Sequence, residues 1–576
     1  MPTPRLLTIL LASAALSACA TQPATPPPAS VVELTPTPDP GASPYGLFLA
    51  GHAARDAGEL AAAAVYLGRA ASTAGEPTYV RIEAFDATLR AGDVTGAAAL
   101  APGPDDPNLP ARRLGVLVRG VEAMASGKDK DAYALLSGPD AGFPHKAMCQ
   151  LLAPFAAAGA GDSANATAHP DMGGDSVAQF VADLDQAELD ERLGKSADAQ
   201  AAYKSLLAAG DESGLVTISY GAFLERRGRD GDAAKLYRDR LAADAGNQPI
   251  ADALQRATSH GRPPPLAGIR QGASEAMLIP AAGLIAQKQD GYGLDYLRLA
   301  LRLDPGNSEA WILVGDLLTG ADPDAARIAY SQVQPGSDRY VAARAKLAWA
   351  YENAGDHDMA LKIARDTAAA APSSREAAGT LADLLRANGR YAESALVLSR
   401  LIDTAGAQAD WRLYYLRASA YDETGAADKT EADLQAALKL DPDEPELLNF
   451  QAYFWIERGE HLQEALAMAQ RAVAADPQSG EMIDSLGWAY YRLGDYKAAV
   501  DKLEQAIALE PAIPEVNDHL GDAYWRVGRK TEAQFQWRRV LSLDASASLR
   551  ARADAKLASP LGPDAPTAPM PSTITQ

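Results

Sequence analysis

Between Gly480 and Leu543 the chain reads Ile483-x-x-Leu486-Gly487-x-x-Tyr490, then Ala499-x-x-x-Leu503, Ala506 and Pro511. The same pattern follows at once as Asn517-x-x-Leu520-Gly521-x-x-Tyr524, then Ala533-x-x-x-Trp537 and Val540. Gly487 to Gly521, Tyr490 to Tyr524 and Ala499 to Ala533 are each 34 residues apart. A period of that length fits two short antiparallel helices. Gly or Ala on one helix lets the second approach closely, and the large residues on either side lock the pair. Each hairpin still leaves an apolar face that only the next hairpin can cover, so one repeat implies more.

The small residue at the close-approach position can be followed backwards from Gly521 through Gly487, Ala452, Ala418, Ala382, Ala348 and Gly315 to Ala281, at spacings of 34, 35, 34, 36, 34, 33 and 34. Glycines at 355, 389, 425, 494 and 528 fall where the first helix must stop in a left-handed turn. Pro305, Pro372, Pro442, Pro477 and Pro511 mark the ends of second helices. This resembles the tetratricopeptide repeat in period and residue pattern. The resemblance implies an all-α superhelical solenoid of roughly 12 helical hairpins in two arms.

Eight repeats fill a C-terminal arm at 274–545. A degenerate N-terminal arm at 45–245 is clearest where Ala187 and Gly221, Gly194 and Gly228, Ala199 and Ala233, and Tyr203 and Tyr237 each recur at 34 residues. Between about 100 and 175 the register cannot be set. The stretch 246–273, with Gly261-Arg262-Pro263-Pro264-Pro265, reads as a loop between the arms, where their relative angle is set or can change. Residues 546–576 read as a capping helix and a disordered Pro-rich tail.

At the other end, Arg5 precedes the apolar run Leu6–Leu16, which is too short to span a bilayer and closes in Leu16-Ser17-Ala18-Cys19. Residues 1–18 resemble a bacterial lipoprotein signal with Cys19 as the lipidated first residue. Ala20 in place of Asp implies the outer membrane. Residues 19–44 hold eight prolines from Pro23 to Pro44 that bar a helix, and read as a tether. In polyproline II, at about 3.1 Å per residue, it reaches roughly 75 Å. The lipid is then the sole membrane anchor.

Bulk composition agrees with close-packed helices: 47% hydrophobic residues but only 6% aromatic. A formal charge of -22 argues against nucleic acid, which calls for a basic stripe. Apart from Cys19 the only cysteine is Cys149, so no disulfide framework exists. His145 four residues earlier could share its helix face, but the apolar run Ala147–Phe155 favours a buried core thiol. No phosphate loop, nucleophile elbow or paired-His zinc motif is present, and Asp441-x-Asp443 lacks the later residues of a calcium loop. The reading is a non-enzyme without cofactor or metal.

The family resemblance places a concave groove on the first helices. It assigns Glu446, Asn449, Tyr453 and Glu457 of one repeat, Glu481, Asp484, Trp488, Tyr491 and Arg492 of the next, and Glu515, Asp518, Asp522, Trp525 and Arg526 of the last to that groove. Tyr453, Asp484, Trp488, Arg492, Asp518, Asp522, Trp525 and Arg526 are the partner-binding candidates. The alternative is that Trp488 and Trp525 pack between hairpins, and His519 reads as structural. The Lys/Asn clamp with which chaperone-binding members hold a C-terminal carboxylate is missing.

The whole resembles outer-membrane tetratricopeptide lipoproteins of alphaproteobacteria. That implies a periplasmic adaptor that brings a C-terminal-processing protease to cell-envelope enzymes. Two rivals stand beside it: a subunit of an exopolysaccharide-export or outer-membrane assembly complex, and an enzyme with an unrecognised site.

Overall fold

The computed structural model describes residues 37, 41–72 and 77–559; Cys19, the signal segment and most of the tether lie outside them, as do residues 560–576. The described chain is helical throughout, as the periodicity requires, an all-α tetratricopeptide-type fold in which successive hairpins pack in chain order within each of two units. The described residues divide into two compact units, one up to Ile363 and one from Ala364 onwards.

Within a hairpin, the contact that sets the fold is a glycine opposite a large side chain about 16 residues later. A Cβ on Gly487 would meet Leu503 Cγ at 2.7 Å, and one on Gly521 would meet Trp537 Nε1 at 2.5 Å. Gly51 faces Leu67 in the same way, Gly120 faces Leu136, Gly221 faces Tyr237 and Gly315 faces Tyr330. Ala281, Ala348, Ala382, Ala418 and Ala452 occupy the equivalent place in their repeats and are buried. The turn glycines behave as expected, with φ between +66° and +87° at 355, 389, 425, 494 and 528. L residues avoid that region, so these positions end their helices.

Three expectations need adjusting. Pro44 does not belong to an unstructured tether: it opens the helix Pro44–Asp56, capped by Ser43. Proline suits the first helical turn, where its missing N–H leaves nothing unsatisfied. The 100–175 stretch forms two hairpins, Leu109–Ala125 with Asp129–Leu136 and Lys146–Gly159 with Ser163–Ala166. Their second helices are short, which is why the 34-residue rhythm is lost there.

The stretch 246–273 is the third. It contains the helix Gln248–Thr258, which buries Ile250, Ala253 and Ala257 in the core of the preceding hairpins. Pro264 is pinned through its carbonyl by Arg226 Nη1 at 3.1 Å. Ile269–Ala276 then packs on Lys146–Gly159, Ser176–Arg192 and Asp290–Leu303.

The first unit also closes on itself across this stretch. The helix Asp290–Leu303 lies against Thr78–Ala91 and Leu109–Ala125 along a polar seam. Arg90 Nε donates to Asp295 Oδ1 at 3.3 Å, and Arg298 Nε donates to the Arg90 carbonyl at 2.9 Å. Arg302 grips Glu122 with two bonds, at 2.8 and 3.1 Å. His145, at the start of its helix, meets Tyr296 Oη at 3.0 Å instead of facing Cys149. Cys149 is fully buried, and burial pushes its thiol up to about 12, so it is the inert core thiol the sequence suggests.

Candidate functional site

The candidate groove is carried by Pro445–Arg458, Gly480–Arg492 and Pro514–Arg526, with the C-terminal helix Ala547–Ala558 standing where a further first helix would be. Local sequence fixes each start. Pro445 and Pro514 occupy the first turn, while Ser479 and Ser546 accept the amides of Met482 and Leu549, both at 3.2 Å. Each of these helices packs on the next of the set, so residues about one repeat apart come face to face.

Four of the eight candidates are consumed by that packing. Trp488 is 1% exposed and stacks between Tyr491 and His519, with ring centroids at 4.5 and 4.1 Å and planes 12° apart. Its indole N–H donates to Glu457 Oε1 at 2.6 Å. Asp484, 5% exposed, accepts the His519 Nδ1–H at 2.9 Å. Asp518 and Asp522 are wholly buried beneath the C-terminal helix. Lys556 Nζ donates to both oxygens of Asp518 at 2.7 Å and sits 2.8 Å from Asp522 Oδ1, which also accepts the Trp537 indole at 3.0 Å.

These four residues therefore bind repeat to repeat and are closed to a partner. The physical reason is charge. An acidic residue facing the next helix finds a cation there, His519 or Lys556, and a carboxylate leaves water only with such a partner. His519 reads as structural, and it is: fully buried between two repeats, with its Nε2 shut away from solvent.

Electrostatics follow the same geometry. Burial alone would lower the His519 pKa, but the Asp484 carboxylate against it prevails and the ring is held above its ordinary value. Burial raises Asp522 although Lys556 pulls the other way. Glu481 and Glu515 are raised too, by burial first, with Glu510 acting against Glu481 as well. Tyr453 is held well up by burial and by the Glu457 carboxylate.

The other four candidates keep an open face. Tyr453, Arg492, Trp525 and Arg526 are half-buried, each steadied by protein. Arg492 Nη1 donates to the Glu457 carbonyl at 3.1 Å, and Arg526 Nε donates to Tyr491 Oη at 3.1 Å. The Trp525 ring lies 5.6 Å from Trp537 and carries Lys530 Nζ 5.1 Å above it. Tyr453 packs on the same core as Trp525. The residues that sequence reasoning missed are Lys556 and Arg552, whose helix was expected only to cap the array. Their signal was the i, i+4 spacing of two cations on one face of a helix that follows an acidic repeat.

Among the described residues no group of His, Cys, Asp and Glu is placed to hold a metal ion, and no helix is long and apolar enough to cross a membrane.

Family models for tetratricopeptide repeats match residues 184–248, 345–410, 412–444 and 487–528. Similar solved structures include a chain of the APC/C hetero-tetramer Cut9–Hcn1, 16% identical over 90% of this chain and 97% of that one, with a TM-score of 0.36. A tetratricopeptide-repeat protein from Parabacteroides merdae is 17% identical over 38% of this chain and 87% of its own, with a TM-score of 0.32. A thermophilic repeat protein of Thermus thermophilus is 24% identical over 31% of this chain and 96% of its own, at 0.28. No curated protein matches the chain.

Proposed function

We propose that this chain of tetratricopeptide repeats is a non-catalytic scaffold for protein partners, tethered to the periplasmic face of the outer membrane through lipid on Cys19. Its task in this reading is to bring a C-terminal-processing protease to cell-envelope substrates. The observation that carries the scaffold reading is the half-open row of Tyr453, Arg492, Trp525 and Arg526 on three successive first helices.

Aromatic rings and guanidinium groups supply most of the energy of protein interfaces. Here the two arginines are already held by the Glu457 carbonyl and the Tyr491 hydroxyl, so docking need not immobilise them again. The buried residues beneath them make that surface rigid. Cell-envelope localisation and the protease partner rest on the lipoprotein-like N-terminus and the family resemblance.

The test is a cross-linked pull-down from membranes with a Tyr453→Ala, Arg492→Ala, Trp525→Ala variant that leaves Trp488 in place, checked for folding by circular dichroism. Partner retention should fall by about tenfold or more, since each truncation at such a position costs upwards of about 2 kcal/mol. Full retention by a folded variant would exclude this face as the dock. Recovery of export or barrel proteins in place of a protease would favour the assembly reading.

A further inference from the structure

The seam between Asp290–Leu303 and Thr78–Ala91 is not closed along its whole length. It leaves an open cavity of about 580 Å³ beside the turn that precedes Asp290. One wall is a single helix face, Ile82, Asp86 and Arg90, each four residues after the last; Tyr292 and Asp295 stand in the opposite wall, and Leu114 adds an apolar surface. Its size is that of a small-molecule site.

The polar groups in this cavity are out of balance. Two carboxylates, Asp86 and Asp295, share Arg90 as the one guanidinium in the lining, which gives only its Nε to Asp295 Oδ1; Arg55 acts on Asp86 from outside the lining, and Asp290 adds a third carboxylate at the exposed rim. Asp295 is 1% exposed, yet its Oδ2 accepts no hydrogen bond. A buried carboxylate oxygen without a donor is costly and rare in a native protein, and it calls for an explanation. Burial holds Asp86 up to about 6 and Asp295 up to about 7, against the pull of Arg90.

Nothing else in the wall supplies the missing positive charge. His145 lines the cavity, but burial takes it down to about 4, so the ring is neutral, and its Nδ1 is engaged by Tyr296. Lys288 is at the exposed mouth, and among the described residues it pairs with neither carboxylate.

We propose that this cavity binds a primary alkylammonium ion, its N–H groups donated to Asp86 and Asp295 and its aliphatic stem laid against Ile82, Leu114 and Tyr292. An ammonium brings three donors and one positive charge, which are what the two carboxylates lack. An anionic ligand would be repelled by both. The shared chemistry has two sources, a free amine or the lysine side chain of a peptide. The site shares no residue with the groove in residues 445–526, so its failure and the failure of the scaffold reading are separate results.

The experiment is isothermal titration calorimetry on the full chain near neutral pH with n-butylamine, Nα-acetyl-lysine methylamide and butyrate. One or both cations should bind tighter than about 10 mM, while butyrate should not bind. Preference for butylamine assigns a free amine; preference for the lysine derivative assigns a peptide side chain. Asp86→Asn with Asp295→Asn should weaken binding about tenfold or more. Ile82→Trp, which fills the space and keeps both charges, should abolish it and decides the matter if the double variant does not fold. No binding of either cation, equal binding of butyrate, or affinity unchanged in Ile82→Trp would overturn the proposal.

Discussion

Replacing Lys556 by Met tests whether the C-terminal helix holds the last repeats together through charge. Lys556 is 8% exposed, and its ammonium bonds Asp518 and Asp522, both at 0%. Removing one member of a buried ion pair costs about 3–5 kcal/mol, because the remaining charge is left in an apolar site. Arg552 stays within 3.4 Å of Asp518, and the Trp537 indole still donates to Asp522, so the lower end of that range applies, about 3 kcal/mol. For a unit of this size that shift is roughly 6–12 °C in melting temperature.

The pH dependence gives a second handle. Asp522 is already raised from its ordinary value because burial outweighs the attraction of Lys556, and losing the lysine raises it further. A carboxyl group whose folded pKa exceeds its unfolded one favours folding at low pH, and that contribution is lost as pH rises through the folded value. The variant's deficit must therefore be largest at neutral pH and shrink towards about pH 4. Thermal melts followed by circular dichroism across that range provide the assay. A variant that melts with the parent at neutral pH, or whose deficit does not change with pH, would refute the argument.

Gly521→Leu should lower stability by about 1–3 kcal/mol in urea titrations, since even a Cβ meets Trp537 Nε1 at 2.5 Å; Gly487→Leu should do the same against Leu503. Trp488→Ala should cost about 3–5 kcal/mol, leaving a cavity between Tyr491 and His519 and removing the indole N–H from Glu457; a cost below about 1 kcal/mol would mean the stack is not structural. Cys19→Ser should free the protein from membranes on fractionation, and persistent membrane association with lipid attached would contradict the anchor.

Much of this architecture was legible because it is local. Gly487 and Leu503, or Gly521 and Trp537, are close in the chain, and a glycine that admits a large residue leaves a mark at fixed spacing. The same spacing relates Gly120 to Leu136 and could have set the register in the 100–175 stretch, where short second helices hid the longer period. What stayed hidden depends on partners that repeat periodicity does not relate. Asp518 and Asp522 occupy groove positions by pattern, and only a lysine 38 residues beyond Asp518 shows that they are covered. The proline cluster at 263–265 reads as an open joint, because the Arg226 contact and the helix at 269–276 that fasten it leave no periodic trace.

The seam between Thr78–Ala91 and Asp290–Leu303 bears on how the two units come to be folded. In a plain repeat array each hairpin needs only its neighbour, so structure can spread from any point as soon as adjacent segments exist. Residues 445–558 obey that rule, and their first helices meet partners about one repeat away. Arg90 must wait for Asp295, which lies 205 residues further on. Closing so long a loop is entropically unfavourable before any contact forms, and folding rates fall as contacts become more distant in sequence. A chain that emerges N-terminus first would leave that face of the early hairpins uncovered until the 205 residues that separate Arg90 from Asp295 have followed. The first unit is therefore the slower to mature, and the one in which a chaperone would find exposed surface.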